Sequence, residues 1–149
     1  MESPDYFLRF PHFQRKPALP SNDEFNRLAR QMKWKRGSKK YKHERSDFLA
    51  SEFNIHYGSD ATKLENWQRL CIELDIGQAI GSITKCRKAL AKVHVNLVDL
   101  VDTRRTGESV EHFPNVSALR KYTKETKKVF PKSAAKADGF LKALLRVII

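Results

Sequence analysis

Acidic residues are scarce, with 17 Asp and Glu against 29 Lys and Arg, so the formal net charge is +12 at neutral pH. Cysteine is scarcer still. Only Cys71 and Cys86 occur, too few for a disulfide-stapled scaffold, and both fall at apolar positions of helical patterns, which predicts buried free thiols. No apolar run is long enough to span a bilayer, and the C-terminal one is interrupted by Lys142 and Arg146. The opening MESPDYFLRF lacks a basic segment followed by an apolar one, which argues against a secretory signal and for an intracellular protein. Strand-type alternation, internal repeats and low-complexity tracts are also missing, which leaves an all-α reading.

Catalytic and metal-binding patterns are equally thin. There is no glycine-rich phosphate loop, no CxxC, no HExxH and no G-x-S-x-G. The five histidines lack paired metal-ligand spacing, so neither a cofactor nor a metal is expected. An enzyme reading would need Cys86, His94, Asp99 and Asp102 to meet in a cleft. Cys86 is expected to be structural, because a nucleophilic thiolate must be exposed beside its base. Asp99 and Asp102 are expected to be neutralised by the adjacent Arg104 and Arg105.

What is present is helical. Of the six prolines, four lie between residues 4 and 20, alongside Tyr6, Phe7, Phe10 and Phe13. This segment reads as an extended arm, pinned by rings whose burial is worth about 2 kcal/mol each. Residues 21–149 read as one compact domain of about six helices. Ser21 with Glu24 predicts a capping box, followed by an apolar face of Phe25, Leu28, Ala29 and Met32. Gly37 ends that helix and Ser38 caps the next, which carries Tyr41, Phe48, Leu49, Phe53 and Tyr57. A third helix starts at Asp60 or Thr62. The spacing of Ile83, Cys86, Leu90, Val93, Leu97 and Leu100 predicts a long fourth helix over 82–102, with a kink possible near Asn96. Residues 103–115 read as a loop. A fifth helix is stopped by Pro131, and a sixth runs to an apolar Val147–Ile149 end.

The positive charge is concentrated in two blocks. Residues 33–45, KWKRGSKKYKHER, are net +6, residues 119–146 are net +7, and everything else sums to −1. Lys33, Lys35, Arg36, Lys39, Lys40 and Lys42 crowd a helix end and the start of the next, where free backbone N–H groups already favour an anion. Trp34 is the candidate for stacking on bases. Arg120, Lys124, Lys127 and Lys128 form a second basic face. This pattern points to DNA or RNA bound without sequence preference, or to another polyanion, since no base-reading motif accompanies it. A protein-interaction module is the alternative, holding an acidic partner through the aromatic arm or the apolar C-terminus. The lysine-rich segment also resembles a nuclear import signal. Arg36-Gly37-Ser38 resembles a basophilic kinase site.

FNRLARQMKWKRGSKKYKHERSDFLASEF, LENWQRLCIELDI and SITKCRKALAKVHVNLVDLVD together resemble small uncharacterised proteins of filamentous fungi. Trp67-Gln68 and the Val93 to Asp102 run are the distinctive marks. The resemblance implies a eukaryotic, intracellular protein and carries over no site residue.

Overall fold

In a computed structural model of the chain, residues 5–77, 80–135 and 139–148 are described, with the side chains of residues 135 and 146–148 excepted. All regular structure among them is helical. Seven α-helices follow one another: α1 Ser21–Met32, α2 Lys39–Tyr57, α3 Leu64–Glu73, α4 Ile83–Leu90, α5 Leu97–Thr106, α6 Val116–Thr126 and α7 Phe140–Ile148. Short 3-10 turns at Tyr6–Arg9 and Lys132–Ala135 complete the set. Among the described residues, no helix is long and apolar enough to cross a membrane.

Aromatic packing builds the core in two lobes joined by α2. Phe25 of α1 and Phe48 of α2 stack at 5.6 Å, and the arm adds Tyr6 and Phe7 edge-on to Phe48. Phe13 stacks on Phe7 at 5.4 Å. The rings of Tyr6, Phe7 and Phe13 are therefore buried, and the arm belongs to the core. Further along α2, Phe53 meets Phe140 of α7, and Phe140 meets Trp67 of α3 at 4.7 Å. The Trp67 indole N–H donates to the Ala61 carbonyl, so this large ring is buried with its polar group satisfied.

Several boundaries differ from the sequence expectation, each for a local reason. Ser21 is not an N-cap. It is the first residue of α1, after Pro20, and its backbone N–H donates to Asp102 Oδ1 at 2.8 Å. Glu24 does not close a capping box either, because it is fully buried and taken by Arg105 and Arg15. The long helix expected over 82–102 is two helices. The chain unwinds after Leu90, Val93 and Val95 are both buried, and Asn96 caps α5 through the Asp99 N–H. The β-branched valines thus favour the extended conformation that the break requires. Residues 103–106, expected in a loop, form the last turn of α5, which ends at Gly107 with φ +80°. Helices α1 and α6 stop early, at Met32 and Thr126, ahead of the Gly37 and Pro131 expected to end them.

Arg105 holds this arrangement together. Its side chain is 3% exposed, and its guanidinium binds Glu24 of α1 and Glu52 of α2. Its Nε–H donates to the Leu19 carbonyl of the arm. Glu24 also accepts the Lys16 N–H, and Glu52 lies 3.2 Å from the His56 ring. Burial alone would raise the Glu52 carboxyl, but His56 and Arg105 outweigh it and hold it below its ordinary 4.5. Glu44 is likewise held low, its burial outweighed by the Tyr6 hydroxyl, Arg9 and Lys40.

Arg105→Ala leaves two buried carboxylates without their shared cation and is expected to cost about 3–5 kcal/mol in urea denaturation. The acid response has a definite sign. A carboxyl depressed in the fold contributes fully above its unfolded value and loses that contribution as pH falls through its folded one. Asp102 has the opposite sign, since burial raises it and acid relieves its ionised form. Thermal stability should therefore fall as pH drops below about 4.5, and Glu52→Gln and Glu44→Gln should each flatten that fall.

Candidate functional site

The two basic blocks meet in space. Arg45 of α2 donates to Asn22 of α1 at 3.1 Å and to the Val129 carbonyl, beyond α6, at 2.8 Å. Ser46 and Ser133 share a hydrogen bond at 2.9 Å one residue further on. Asn22, Arg45, Val129 and Ser133 all line a cleft of about 1140 Å³. Its cations are Arg36, Lys42 and Arg45 from the first block and Lys127 and Lys128 from the second. Its carboxylates are Asp23 on α1, Asp99 and Asp102 on α5, and Glu108 and Glu111 on the following loop. Five charges of each sign line the same space, so the cleft is mixed in charge rather than basic.

Some of those charges are already committed. Lys128 Nζ lies 2.9 Å from Asp99 Oδ1 and 2.8 Å from the Tyr122 hydroxyl, which itself donates to Asp99 at 2.5 Å. Burial disfavours charge on Lys128, but Asp99 and Tyr122 outweigh it and hold the ammonium firmly protonated. Tyr122 is pushed up by burial and by Asp99. Neither Arg104 nor Arg105 pairs with Asp99 or Asp102, contrary to expectation: Arg104 binds Glu73 at 3.1 Å, and Arg105 binds Glu24 and Glu52. Lys128 and the Ser21 N–H take their place.

The remaining predicted cations are uncommitted. Lys33, Lys35, Arg36, Lys39, Lys42, Arg120, Lys124 and Lys127 are exposed, and their side chains make no ion pair or hydrogen bond among the described residues. Lys40 differs. It pairs with the buried Glu44 at 3.1 Å and sits 5.7 Å from the centre of the Trp34 ring. Trp34 is half-buried, edge-on to Phe10 at 5.7 Å and tilted against Phe25. Much of its ring therefore packs against the arm and α1. Tyr41, half-buried, packs on Phe25 at 5.2 Å and donates to Asn26.

Ser38 caps α2 as expected, accepting from the Tyr41 N–H at 3.2 Å. The first turn of α2 holds no acid, while Lys39, Lys40 and Lys42 stand where the helix dipole disfavours positive charge. Two further conflicts lie in the same blocks. Lys33 and Lys127 close α1 and α6 with φ +61° and +58°, a left-handed conformation normally given to glycine.

The groups required by an enzyme reading do not come together. Asp99 and Asp102 line the cleft, whereas His94 lines a separate shallow pocket with His112 and Phe113. Cys86 is buried beside Cys71, facing the Ile80 carbonyl at 3.9 Å. Burial and the Cys86 thiol push Cys71 up to about 12, so Cys71 is not poised as a nucleophile, and Cys86 is fully buried rather than exposed beside a base. Among the described residues, one group has metal-like proximity, His43, Glu44 and Asp47, with ligand atoms within 4.8 Å of one another. Glu44 is already bonded to Tyr6, Arg9 and Lys40, and two cations on one carboxylate disfavour a third. The side chains of Val147 to Ile149, the expected apolar contact, lie outside the described residues.

No family model, curated protein or solved structure matches the chain.

The left-handed lysines generate a test in which stability and binding move apart. Lys33→Gly and Lys127→Gly are each expected to stabilise the fold by about 1 kcal/mol, read as a higher midpoint in denaturant. If the partner is a polyanion, as the charge pattern leads one to expect, both should also weaken the binding of polyphosphate. Unchanged or lower stability would show that local contacts offset the left-handed cost.

Proposed function

We propose that this chain is a non-enzymatic helical domain that binds nucleic acid or another polyanion through phosphate contacts. One observation carries the reading: Arg36 and Lys42 of the first basic block line the same cleft as Lys127 of the second, and all three are uncommitted. Lys33, Lys35 and Lys39 extend the first surface, and Arg120 and Lys124 the second. Lys40 and Lys128 add charge, although each is already paired. Trp34 would contribute the part of its ring left open beside Lys40. The lysine-rich segment would also serve as a nuclear import address, which suits a partner found in the nucleus.

The backbone conflicts support the same reading. An anion held at the start of α2 would relieve the unfavourable placing of Lys39, Lys40 and Lys42 against the dipole. An acidic protein could engage the same cations, but it would offer fewer and more widely spaced charges than a phosphate chain. The salt response separates the two.

Fluorescence anisotropy with labelled nucleic acid should show affinity falling on the order of 1000-fold or more between 50 and 200 mM salt if six or more phosphates are contacted. Reversing Lys39 and Lys42 to Glu should weaken binding at least tenfold and flatten the salt slope. The same change should raise thermal stability slightly, because acids in the first turn of α2 favour its dipole. Binding that is absent at low salt, or indifferent to the reversal, sinks the proposal.

A further inference from the structure

The cleft carries more information than its cations alone. Once Lys128 is paired with Asp99 and Arg45 is tied to Asn22 and Val129, the uncommitted cations are Arg36, Lys42 and Lys127. They come from the turn before α2, the start of α2 and the end of α6. Facing the same space are Asp102, which gives Oδ1 to the Ser21 N–H, and the exposed Asp23, Glu108 and Glu111. These carboxylates come from α1, α5 and the loop beyond it. Two tyrosines, Tyr41 and Tyr122, also line the cleft.

A duplex fits such a cleft poorly. It turns phosphates outward on both strands, and its base N–H donors are largely consumed in pairing. Four carboxylates would meet a second phosphate backbone and gain nothing from it. A single strand differs in kind, because its phosphates run along one edge and its unpaired bases present amino and imino N–H groups on the other. Carboxylates accept from those groups, and aromatic side chains offer surface for the bases. We infer that the cleft takes single-stranded nucleic acid in preference to duplex, with phosphates on Arg36, Lys42 and Lys127 and base N–H groups on Asp102, Glu108 and Glu111. This rests on the polyanion reading and narrows it.

The test compares three labelled probes on the full chain at one low salt concentration: a mixed-sequence single strand, made as DNA and as RNA, the duplex of the same sequence, and inorganic polyphosphate. The single strand should bind roughly tenfold tighter per phosphate than either of the others, as one or two base contacts would supply. Asp102→Asn and Glu111→Gln then give opposite signs for the two explanations. If the carboxylates receive bases, both variants weaken single-strand binding several-fold while duplex and polyphosphate stay level or tighten. If the carboxylates only repel phosphate, all three probes tighten together, and the inference is overturned. The amide introduced by Asp102→Asn keeps an oxygen for the Ser21 N–H, and Glu111 is exposed on a loop, so a folding failure of one variant leaves the other to decide. Equal binding of all probes by the unaltered chain overturns this inference alone. Absence of binding to any of them overturns the polyanion reading as well.

Discussion

Arg105 is the constraint on which the rest of the structure depends. One guanidinium, almost wholly buried, serves the arm through Leu19, α1 through Glu24 and α2 through Glu52, while itself standing on α5. Its face also lies 5.9 Å from the centre of the Phe48 ring, so the ion cluster rests on the aromatic lobe. Buried ion pairs add little net stability, because desolvation offsets most of the attraction. What this one supplies is geometry. A planar, five-donor group satisfies three partners in fixed directions, and lysine could not replace it. The crossing of α1, α2 and α5 follows from that fork, and with it the position of Asp102 beneath the Ser21 N–H at the cleft.

That constraint explains where the sequence could and could not be read. Helix faces were legible, because Phe25, Leu28, Phe48, Phe53, Trp67 and Leu70 recur at helical spacing and are all fully buried. The Ser38 cap and the two buried thiols followed from equally local signals. Glu24 was misread for a physical reason. A glutamate three residues after a serine looks like a capping partner, and nothing local reveals an arginine 81 residues away that claims it. The same blindness placed Arg105 in a loop. The break between α4 and α5 was only half visible. Asn96 was recognised as a weak point, but the backbone bond from Phe113 N–H to the His94 carbonyl, at 2.8 Å, forms only after the fold has brought them together.

Charge shows the limit of linear reading most clearly. Two blocks of net +6 and +7 suggest a strongly basic surface. In three dimensions, Arg45 turns inward to bridge α2 and the segment after α6, Lys40 is drawn to Glu44, and Lys128 to Asp99. The acids that do this lie partly outside the blocks and were counted elsewhere. The cleft where the blocks meet is balanced in sign, although both blocks that supply its cations are basic. For the proposed polyanion, attraction there would be short-ranged and directional, with long-range steering left to the exposed lysines of the two blocks.

The places where local rules are broken fall in these same stretches. Lys33 and Lys127 occupy left-handed positions suited to glycine, and α2 begins with lysines in place of acids. Each departure costs the fold something, and two of the lysines concerned, Lys42 and Lys127, are exposed and line the cleft. Random drift in surface residues would scatter such conflicts along the chain. Of the three non-glycine residues with positive φ among the described residues, two are lysines of the basic blocks and the third, Asp75, lies apart from them in sequence. Natural sequences agree across levels except where function intervenes. The clustering therefore supports the proposed anion binding more than the net charge does, because solubility would be served by lysines at any exposed position.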